Sequence, residues 1–177
     1  VEDGVLERRR GKGTFVATPK SLYSADDRIG FTRSCMISGK VPMTKLISLE
    51  VQFPTEKIAR FLEQSEQDEV ICSRRLRYVD GNPAMLETNY YPMSYKFLFE
   101  ENLNNSLFDI LARHNIVVAD GLRTIEICEP TLEEMHILNM KSRRSLLLFK
   151  DRQLDEKRRP LFFSKQLYCT DRMKFYL

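Results

Sequence analysis

The sequence predicts an α+β fold, with a mostly antiparallel sheet flanked by helices. Segments rich in β-branched and aromatic residues occur in adjacent pairs separated by turn residues, which is typical of hairpins. Shorter segments with apolar residues at helical spacing lie between these pairs. A chain of 177 residues is long enough for one domain and a small appendage. Its composition, with 42% hydrophobic and 30% charged residues, is ordinary for a globular protein.

The predicted elements follow the order helix, strand, helix, two strands, helix, strand, helix, two strands. Helices are expected to start near Thr32, Thr55, Ser106 and Thr131, ahead of apolar residues at helical spacing. Strands are expected over residues 41–52, both halves of 72–92, 120–129, 145–154 and 161–170. This order is typical of an α+β domain with a largely antiparallel sheet.

The first of these helices lies within residues 30–39. Thr32 can cap its N-terminus and Gly39 can end it. Its apolar positions are Cys35, Met36 and Ile37. A free helix N-terminus is a ready site for an anion, whereas the plainer interpretation is an ordinary capped helix.

Residues 72–92 carry the strongest local signal, a strand, a tight turn and a returning strand. Asp80 and Gly81 stand between two β-rich segments, which is a hairpin signal. The strands bring three charged side chains, Arg75, Arg77 and Glu87. Their arrangement depends on the register that the turn imposes.

Two registers are open. A two-residue loop (81–82) would turn Glu87 away from both arginines. A three-residue loop (79–81), with a bulged glycine at positive φ, sets Arg75 opposite Met85 and puts Glu87 on the face of both arginines. We favour the second register because the glycine falls where positive φ is needed.

In the favoured register, one face carries two guanidinium groups and a carboxylate. Arg75 and Arg77 each present a rigid fork of donors, which suits an anion such as phosphate. The Glu87 carboxylate can accept hydrogen bonds from hydroxyl or amino groups. The alternative is a solvated sheet face with an ion pair, which is common in antiparallel sheets.

Composition argues against metal and membrane sites. The four cysteines and two histidines are scattered without a Cys-x-x-Cys motif, so we expect reduced thiols in a cytoplasmic protein and no metal or cofactor. No apolar run approaches the roughly 20 residues of a membrane span, and no signal-like start is present. The cysteines are Cys35, Cys72, Cys128 and Cys169.

The first nineteen residues predict two short strands joined by a basic turn. A hairpin with a basic tip is what a winged DNA-binding domain lays against phosphates or into the minor groove. The residues expected to contact DNA are Arg8, Arg9, Arg10, Gly11 and Lys12. The alternative is a charged, solvated hairpin.

Residues 2–17 resemble the wing that ends the winged helix-turn-helix domain of GntR-family transcription regulators. The motif Gly-x-Gly-Thr-Phe-Val, here at residues 11–16, carries the resemblance. It implies that the chain is the C-terminal part of such a regulator. The expected organisation is a wing remnant over 1–19, a linker over 20–28 and an effector domain over 29–177.

The expected effector domain contains several short motifs in a characteristic order and spacing. They are Phe31-Thr32, Arg75-Leu76-Arg77, Asp80-Gly81-x-Pro83-x-x-x-Glu87, Ser106-Leu107-Phe108, Pro130-x-x-Glu133 and Tyr168-x-x-Asp171-Arg172-x-x-Phe175. Through these motifs the domain resembles the UTRA domain of the HutC subfamily of GntR regulators. This resemblance implies a fold related to chorismate lyase, a small effector such as a sugar phosphate or related anionic metabolite, operator DNA as a partner of the full-length protein, and a homodimer.

The resemblance also implies an effector site. Its residues would be Phe31, Thr32, Arg75, Arg77, Glu87, Ser106 and Tyr168. The backbone amides of the first two, both arginines and the serine suit a phosphate, while the glutamate suits sugar hydroxyls or an amine. Phe108 replaces a tyrosine of the pattern, and Phe162 stands where some relatives carry an acid, so a less polar pocket is expected.

The rival class is a chorismate lyase-like enzyme acting on a small anionic substrate. No pair of nucleophile and base stands out, and His114 and His136 lack a carboxylate at an obvious partnering spacing. We therefore predict no catalytic residues. An N-terminal wing also favours a transcription regulator, because an enzyme has no need of one, and we expect this regulator to be a repressor.

Overall fold

A six-stranded antiparallel sheet forms the centre of the computed structural model, which describes residues 6–9, 11, 13–16, 21–24 and 30–176. Its strands, in chain order, are β4 (Pro42–Gln52), β5 (Val70–Val79), β6 (Asn82–Pro92), β7 (Asp120–Cys128), β8 (Leu146–Leu154) and β9 (Pro160–Cys169). They lie side by side in the order β4-β5-β6-β9-β8-β7. The predicted α+β class with a mostly antiparallel sheet is confirmed.

Within the described residues, four α-helices and one 3₁₀ helix connect the strands. They are α1 (Gly30–Ile37), α2 (Glu56–Leu62), the 3₁₀ helix (Met93–Glu100), α3 (Leu107–Arg113) and α4 (Leu132–Ile137). The hydroxyl of Ser106 caps α3 by accepting from the Asp109 amide at 3.3 Å. Thr131 and Glu134 form a capping box at the start of α4, where a helix was predicted to begin.

In the part of the chain that the structure describes, four short strands lie outside the central sheet. β1 (Leu6–Arg9) and β2 (Gly13–Val16) pair antiparallel, as predicted for the wing-like hairpin. β3 (Ser21–Ser24) and β10 (Met173–Tyr176) pair in parallel. The predicted linker over 20–28 is therefore not wholly irregular, because four of its residues form a strand.

The two faces of the central sheet are covered by different helices. Ile71 of β5 packs with Leu98 of the 3₁₀ helix and Ile110 of α3. Its neighbour Val70 points the other way and packs with Ile58 of α2. Because side chains alternate along a strand, odd-numbered residues of β5 face the 3₁₀ helix and α3.

The hairpin register differs from both predicted registers. Asp80 and Gly81 form a two-residue turn, both at positive φ (49° and 77°), as a type I′ turn requires. Val79 therefore pairs with Asn82 rather than lying in the loop. The ladder then shifts, leaving Ala84 as an extra residue.

This bulge restores the predicted face. Before the shift Tyr78 pairs with Pro83, and after it Arg77 pairs with Met85 and Arg75 with Glu87. Pro83 has no N–H to donate, which makes this part of the ladder a favourable place for a bulge. The prediction of Met85 opposite Arg75 was wrong, whereas the prediction of one shared face was correct.

Helix α1 also differs from its prediction. It begins at Gly30, so Thr32 lies in the first turn and is not the capping residue. Cys35 is fully buried, but Met36 and Ile37 are 63% and 69% exposed. The helix therefore packs on the domain through a narrow stripe around Ser34 and Cys35.

Candidate functional site

A cleft opens on the face of the sheet that carries Arg75, Arg77 and Glu87. It has about 560 Å³ of empty space, part of it open to solvent. Its walls come from the start of α1, the start of α3, strands β6 to β9 and β10. The lining residues are Gly30, Phe31, Ser34, Glu87, Leu107, Phe108, Arg123, Gln153, Phe162, Ser164, Gln166, Tyr168 and Phe175.

Two arginines share one carboxylate beside this cleft. Arg75 donates from Nε to Oε2 of Glu87 at 2.7 Å and also from Nη2. Arg77 donates to the same oxygen from Nη1 at 3.4 Å. Its Nη2 donates to the Thr32 hydroxyl at 2.9 Å, so the start of α1 is bonded to this cluster.

The cluster is buried and carries a surplus positive charge. Arg75, Arg77 and Glu87 are 1%, 3% and 7% exposed. Two cations against one carboxylate leave one formal positive charge without a counter-charge in the cluster. Nε of Arg77 is also buried without a hydrogen-bond acceptor among the described residues. Such a group is costly unless something supplies the acceptor.

Burial and the neighbouring charges shift the pKa values of Arg77 and Glu87. Burial, aided by the neighbouring Arg75, lowers the pKa of Arg77 to about 10. Burial acts to raise the pKa of Glu87, but the combined attraction and hydrogen bonds of both arginines hold it below its ordinary value. Both groups are charged at neutral pH.

A second polar chain crosses the cleft through β7, β8 and β9. Arg123 donates to both carboxylate oxygens of Asp151, each at 2.6 Å. Gln166 donates from Nε2 to Asp151 at 2.9 Å. Tyr168 then donates its hydroxyl hydrogen to Oε1 of Gln166 at 2.7 Å. Asp151 is fully buried, and Arg123 balances its charge.

The structure brings most of the predicted effector residues together. Phe31, Glu87 and Tyr168 line the cleft. The Phe31 ring lies 4.5 Å from the guanidinium carbon of Arg77 and covers it. Ser106 is at the edge, where its oxygen caps α3, while the next two residues of that helix line the cleft.

Aromatic side chains make up much of the remaining wall. Phe108 and Phe162, the two departures from the family pattern, both line the cleft, together with Phe31 and Phe175. Gly30 lies so close to Phe108 that a Cβ on the glycine would stand 2.9 Å from the ring. The cleft is therefore narrow and partly apolar, with its charged groups at the base.

Sequence reasoning identified Tyr168 but missed the other residues of the second polar chain. Gln166 and Tyr168 alternate along one predicted strand and so share a face, which was an available signal. Asp151 stands in a mostly apolar strand, where a charge needs a partner. Its partner Arg123 is 28 residues away, and no local pattern connects the two.

The predicted DNA-contacting residues are only partly described. Arg8 and Arg9 lie in β1, and Gly11 lies in the turn at a φ of 75°. Arg10 and Lys12 lie outside the described residues. Their role in DNA binding stays a prediction.

Neither histidine contributes to the cleft. His114 pairs with Glu101 at 2.8 Å and stacks on Phe97, and this carboxylate lies 13 residues away, at a spacing that the sequence did not indicate. No grouping of His, Cys, Asp and Glu that could hold a metal occurs in the described part of the chain. Within those same residues, no helix is long and apolar enough to cross a membrane.

Comparison with known families decides the relationship. Residues 38–174 match the family model described as the UTRA domain. The chain belongs to the UTRA domain family. The match covers β4 to β9 and the first two residues of β10, so Phe175 is the one cleft-lining strand residue among the described residues that lies outside it.

Individual relatives of this UTRA domain are transcriptional regulators. HTH-type transcriptional repressor NagR of Bacillus subtilis is 27% identical over 177 residues, covering 99% of this chain and 73% of that protein. HTH-type transcriptional regulator GgaR of Escherichia coli K12 is 26% identical over 163 residues, covering 92% of this chain and 65% of that protein. The predicted GntR-family membership is confirmed, and these relatives are regulators rather than enzymes.

A solved structure supports the same relationship. The crystal structure of PhnF from Mycobacterium smegmatis superposes with a TM-score of 0.86 at 25% identity, covering 99% of this chain and 78% of that one. The UTRA domain described above is thus the effector domain of a transcriptional regulator.

Proposed function

We propose that this UTRA domain senses a small anionic metabolite of the sugar phosphate class, and that the bound metabolite changes how the full-length regulator holds its operator. The observation that carries the proposal is the surplus positive charge of Arg75, Arg77 and Glu87. A bound anion supplies the missing counter-charge and an acceptor for Nε of Arg77.

The position of helix α1 gives the anion further donors. The Thr32 hydroxyl and the backbone at the start of α1 lie beside Arg77. The Ser106 hydroxyl accepts from a backbone amide and keeps its own hydrogen to donate. A phosphate held by Arg77, Thr32 and Ser106 leaves its sugar within the cleft, facing Glu87 and Tyr168.

Anion binding competes with contacts that hold α1 in place. Arg77 is bonded to Thr32 and covered by Phe31, so an arriving phosphate has to displace at least one of these contacts. The metabolite then favours whichever arrangement of α1 it binds more tightly. In a homodimer of the HutC type, such a shift would alter how the two basic hairpins reach operator DNA.

Replacing Arg77 by Met tests the proposal without leaving a buried charge unpaired. The variant keeps the Arg75–Glu87 pair and removes the surplus cation together with its hydrogen bonds to Thr32 and Glu87. With glucose 6-phosphate as the probe and glucose as the uncharged comparison, we expect the sugar phosphate to raise the unfolding temperature of the original chain but not of Arg77→Met.

Arg74→Met is the matched control for this experiment. Arg74 lies next in β5 but pairs with Glu133 on the other face, at 2.7 Å. Its loss should leave the response to the sugar phosphate intact. An equal response in Arg77→Met and in the original chain would refute the role of Arg77, and no response to any of a panel of sugar phosphates would refute the effector class.

A further inference from the structure

Three polar side chains are buried beside the cleft without a direct hydrogen bond. Ser73, Asn89 and Tyr91 are each 0% exposed. Among the described residues, no hydrogen-bond partner is in place for the Ser73 hydroxyl, the Tyr91 hydroxyl or either polar atom of the Asn89 side chain. Unlike Nε of Arg77, these four atoms are not part of the proposed anion site, and each is costly to bury without a partner.

The register of the sheet places these three side chains next to one another. Ser73 of β5 pairs directly with Asn89 of β6, and Tyr91 lies two residues further along β6 on the same face. The Cβ atoms of directly opposed residues lie about 4.5–5.5 Å apart, and diagonal neighbours about 7–8 Å apart. A space between such side chains is therefore one that a small polar molecule can bridge.

Apolar packing holds the Tyr91 phenol in this position. The centre of its ring lies 5.5 Å from that of Tyr95 and 5.3 Å from that of Phe162. The same buried cluster includes Leu98 of the 3₁₀ helix and Ile110 of α3, which cover this face of the sheet. The ring cannot turn its hydroxyl toward solvent without breaking these contacts, so a partner for the hydroxyl has to come to it.

The four polar atoms supply the donors and acceptors that suit a water molecule. Burial raises the pKa of Tyr91 to about 12, against the opposing effects of Arg75 and of the two nearby polar side chains, so the phenol is protonated. Both hydroxyls can donate or accept, and the Asn89 amide does each with a different atom. The set carries no formal charge, so neither an anion nor a metal ion would gain a counter-charge from it, whereas a buried water typically makes about three hydrogen bonds to such groups.

We propose that Ser73, Asn89 and Tyr91 bind one water molecule between the sheet and the helices that cover it, at a hydration site distinct from the effector cleft. The water accepts from the phenol and the amide NH₂ and donates to the Ser73 oxygen and the amide carbonyl, which gives each of the four atoms a partner. Asn89 follows Glu87 by two residues on the same face of β6, so the site adjoins the buried ion pair. It is independent of the identity of any effector.

The first test counts the slowly exchanging waters of the protein by oxygen-17 magnetic relaxation dispersion of the solvent. This signal follows the water oxygen, so exchange of hydroxyl protons does not contribute to it. We expect its amplitude to fall by the equivalent of one water when Ser73→Ala is combined with Asn89→Leu, which replaces two of the three polar side chains by apolar ones. An unchanged amplitude, in a variant that circular dichroism shows to be folded, would overturn the proposal.

The second test depends on the sign of a stability change and removes a single oxygen. If the Tyr91 hydroxyl is bonded to a water, Tyr91→Phe loses that hydrogen bond and the unfolding temperature falls. If the hydroxyl lies unpaired in a dry interior, its removal relieves a cost and the unfolding temperature rises. We expect a fall, and a rise or no change would contradict a bound water.

A shared water also couples Tyr91 to Asn89. Tyr91→Phe should lower the unfolding temperature of the original chain but not that of a chain that already carries Asn89→Leu, because the water has then gone. Equal falls in both chains would refute a shared water. Tyr95→Phe is the matched control, since its ring packs against that of Tyr91 and its hydroxyl is not among the four atoms. It should leave the oxygen-17 amplitude unchanged.

Discussion

Arg75 stands directly opposite Glu87 across the β5–β6 pair, and its Nε donates to the carboxylate at 2.7 Å. The same guanidinium reaches toward the backbone oxygens of Leu103 and Asn105, each at 3.4 Å. One buried arginine thus joins the hairpin to the segment that leads into α3. Removing the Glu87 carboxylate would leave two buried guanidinium groups without a counter-charge in this cluster.

Glu87→Gln should strongly destabilise the domain. The change leaves Arg75 and Arg77 buried without a counter-charge, and breaking one side of a buried ion pair costs about 3–5 kcal/mol. Denaturant unfolding followed by circular dichroism measures this loss. Glu133→Gln, which breaks the more exposed ion pair with Arg74, should cost about 1 kcal/mol or less. Similar losses in both variants would contradict the importance of burial.

The stability of the domain should fall as the pH drops below the ordinary carboxyl range. The pKa of Glu87 lies below its ordinary value of 4.5, so this group binds fewer protons when folded than when unfolded. Its contribution is fully present above that value and is lost as the pH falls through the folded pKa. Unfolding midpoints at a series of acidic pH values test this. The slope should be shallower in Glu87→Gln, and equal slopes would rule out Glu87 as a main source.

Gly30→Ala should destabilise the start of α1 by more than the strain of a positive φ at this position explains. Gly30 has a φ of 65°, and the added Cβ would stand 2.9 Å from the Phe108 ring. Gly39 offers the matched control, with a φ of 67° and no atom within 4 Å of an added Cβ. Gly39→Ala should cost about 1–2 kcal/mol from positive φ, and Gly30→Ala about 1–3 kcal/mol more from overpacking.

The difference between these glycine variants also reports on the cleft. Combining Gly30→Ala with Phe108→Leu should recover most of the additional loss of stability, because the ring with which the new Cβ clashes has been removed. Thermal unfolding of the single and double variants measures the recovery. If the double variant is no more stable than Gly30→Ala, the contact with Phe108 is not the cause.

Arg172→Lys should loosen the region where α4 meets the hairpin. Nη1 of Arg172 donates to the carbonyls of Pro83 and Leu138, and Nη2 donates to that of Asn139. One ammonium cannot reproduce this planar fork. We expect a loss of about 1–3 kcal/mol in the free energy of unfolding.

An exposed arginine provides the comparison for that change. Arg158 is paired with Asp120 at 3.0 Å and its side chain is 76% exposed. Arg158→Lys should change the free energy of unfolding by less than about 0.5 kcal/mol. Hydrogen exchange should place the additional opening of Arg172→Lys near α4 and the bulge at Ala84.

The hairpin shows how far a sequence pattern reaches. The turn residues and the shared face of Arg75, Arg77 and Glu87 could be predicted, because side chains alternate regularly along a strand. The register could not, since the extra residue at Ala84 leaves no mark in the turn itself. The observed loop is one residue shorter than the favoured prediction, and the bulge adds one residue to β6. Together these two differences keep the three charged side chains on one face.

Residues joined through the sheet were harder to predict than residues joined through a turn. Arg123, Asp151 and Gln166 come from three strands, and their contact depends on how those strands are ordered. The exposure of Met36 and Ile37 also depends on packing, since consecutive apolar residues point in different directions around a helix and do not reveal which face of α1 is covered. Local patterns specify elements, while neighbours across the sheet specify the chemistry of the cleft.

Because β3 pairs with β10, the width of the cleft is coupled to the backbone position of residues 21–24. The ring of Phe175 lines the cleft, and its backbone is the register partner of Tyr23. A bound molecule that is too large to be accommodated by rotation of the Phe175 ring has to move β10. Four residues of β3 pair with β10 and would move with it. The size of a bound molecule, independently of its charge, should therefore affect the backbone position of residues 21–24.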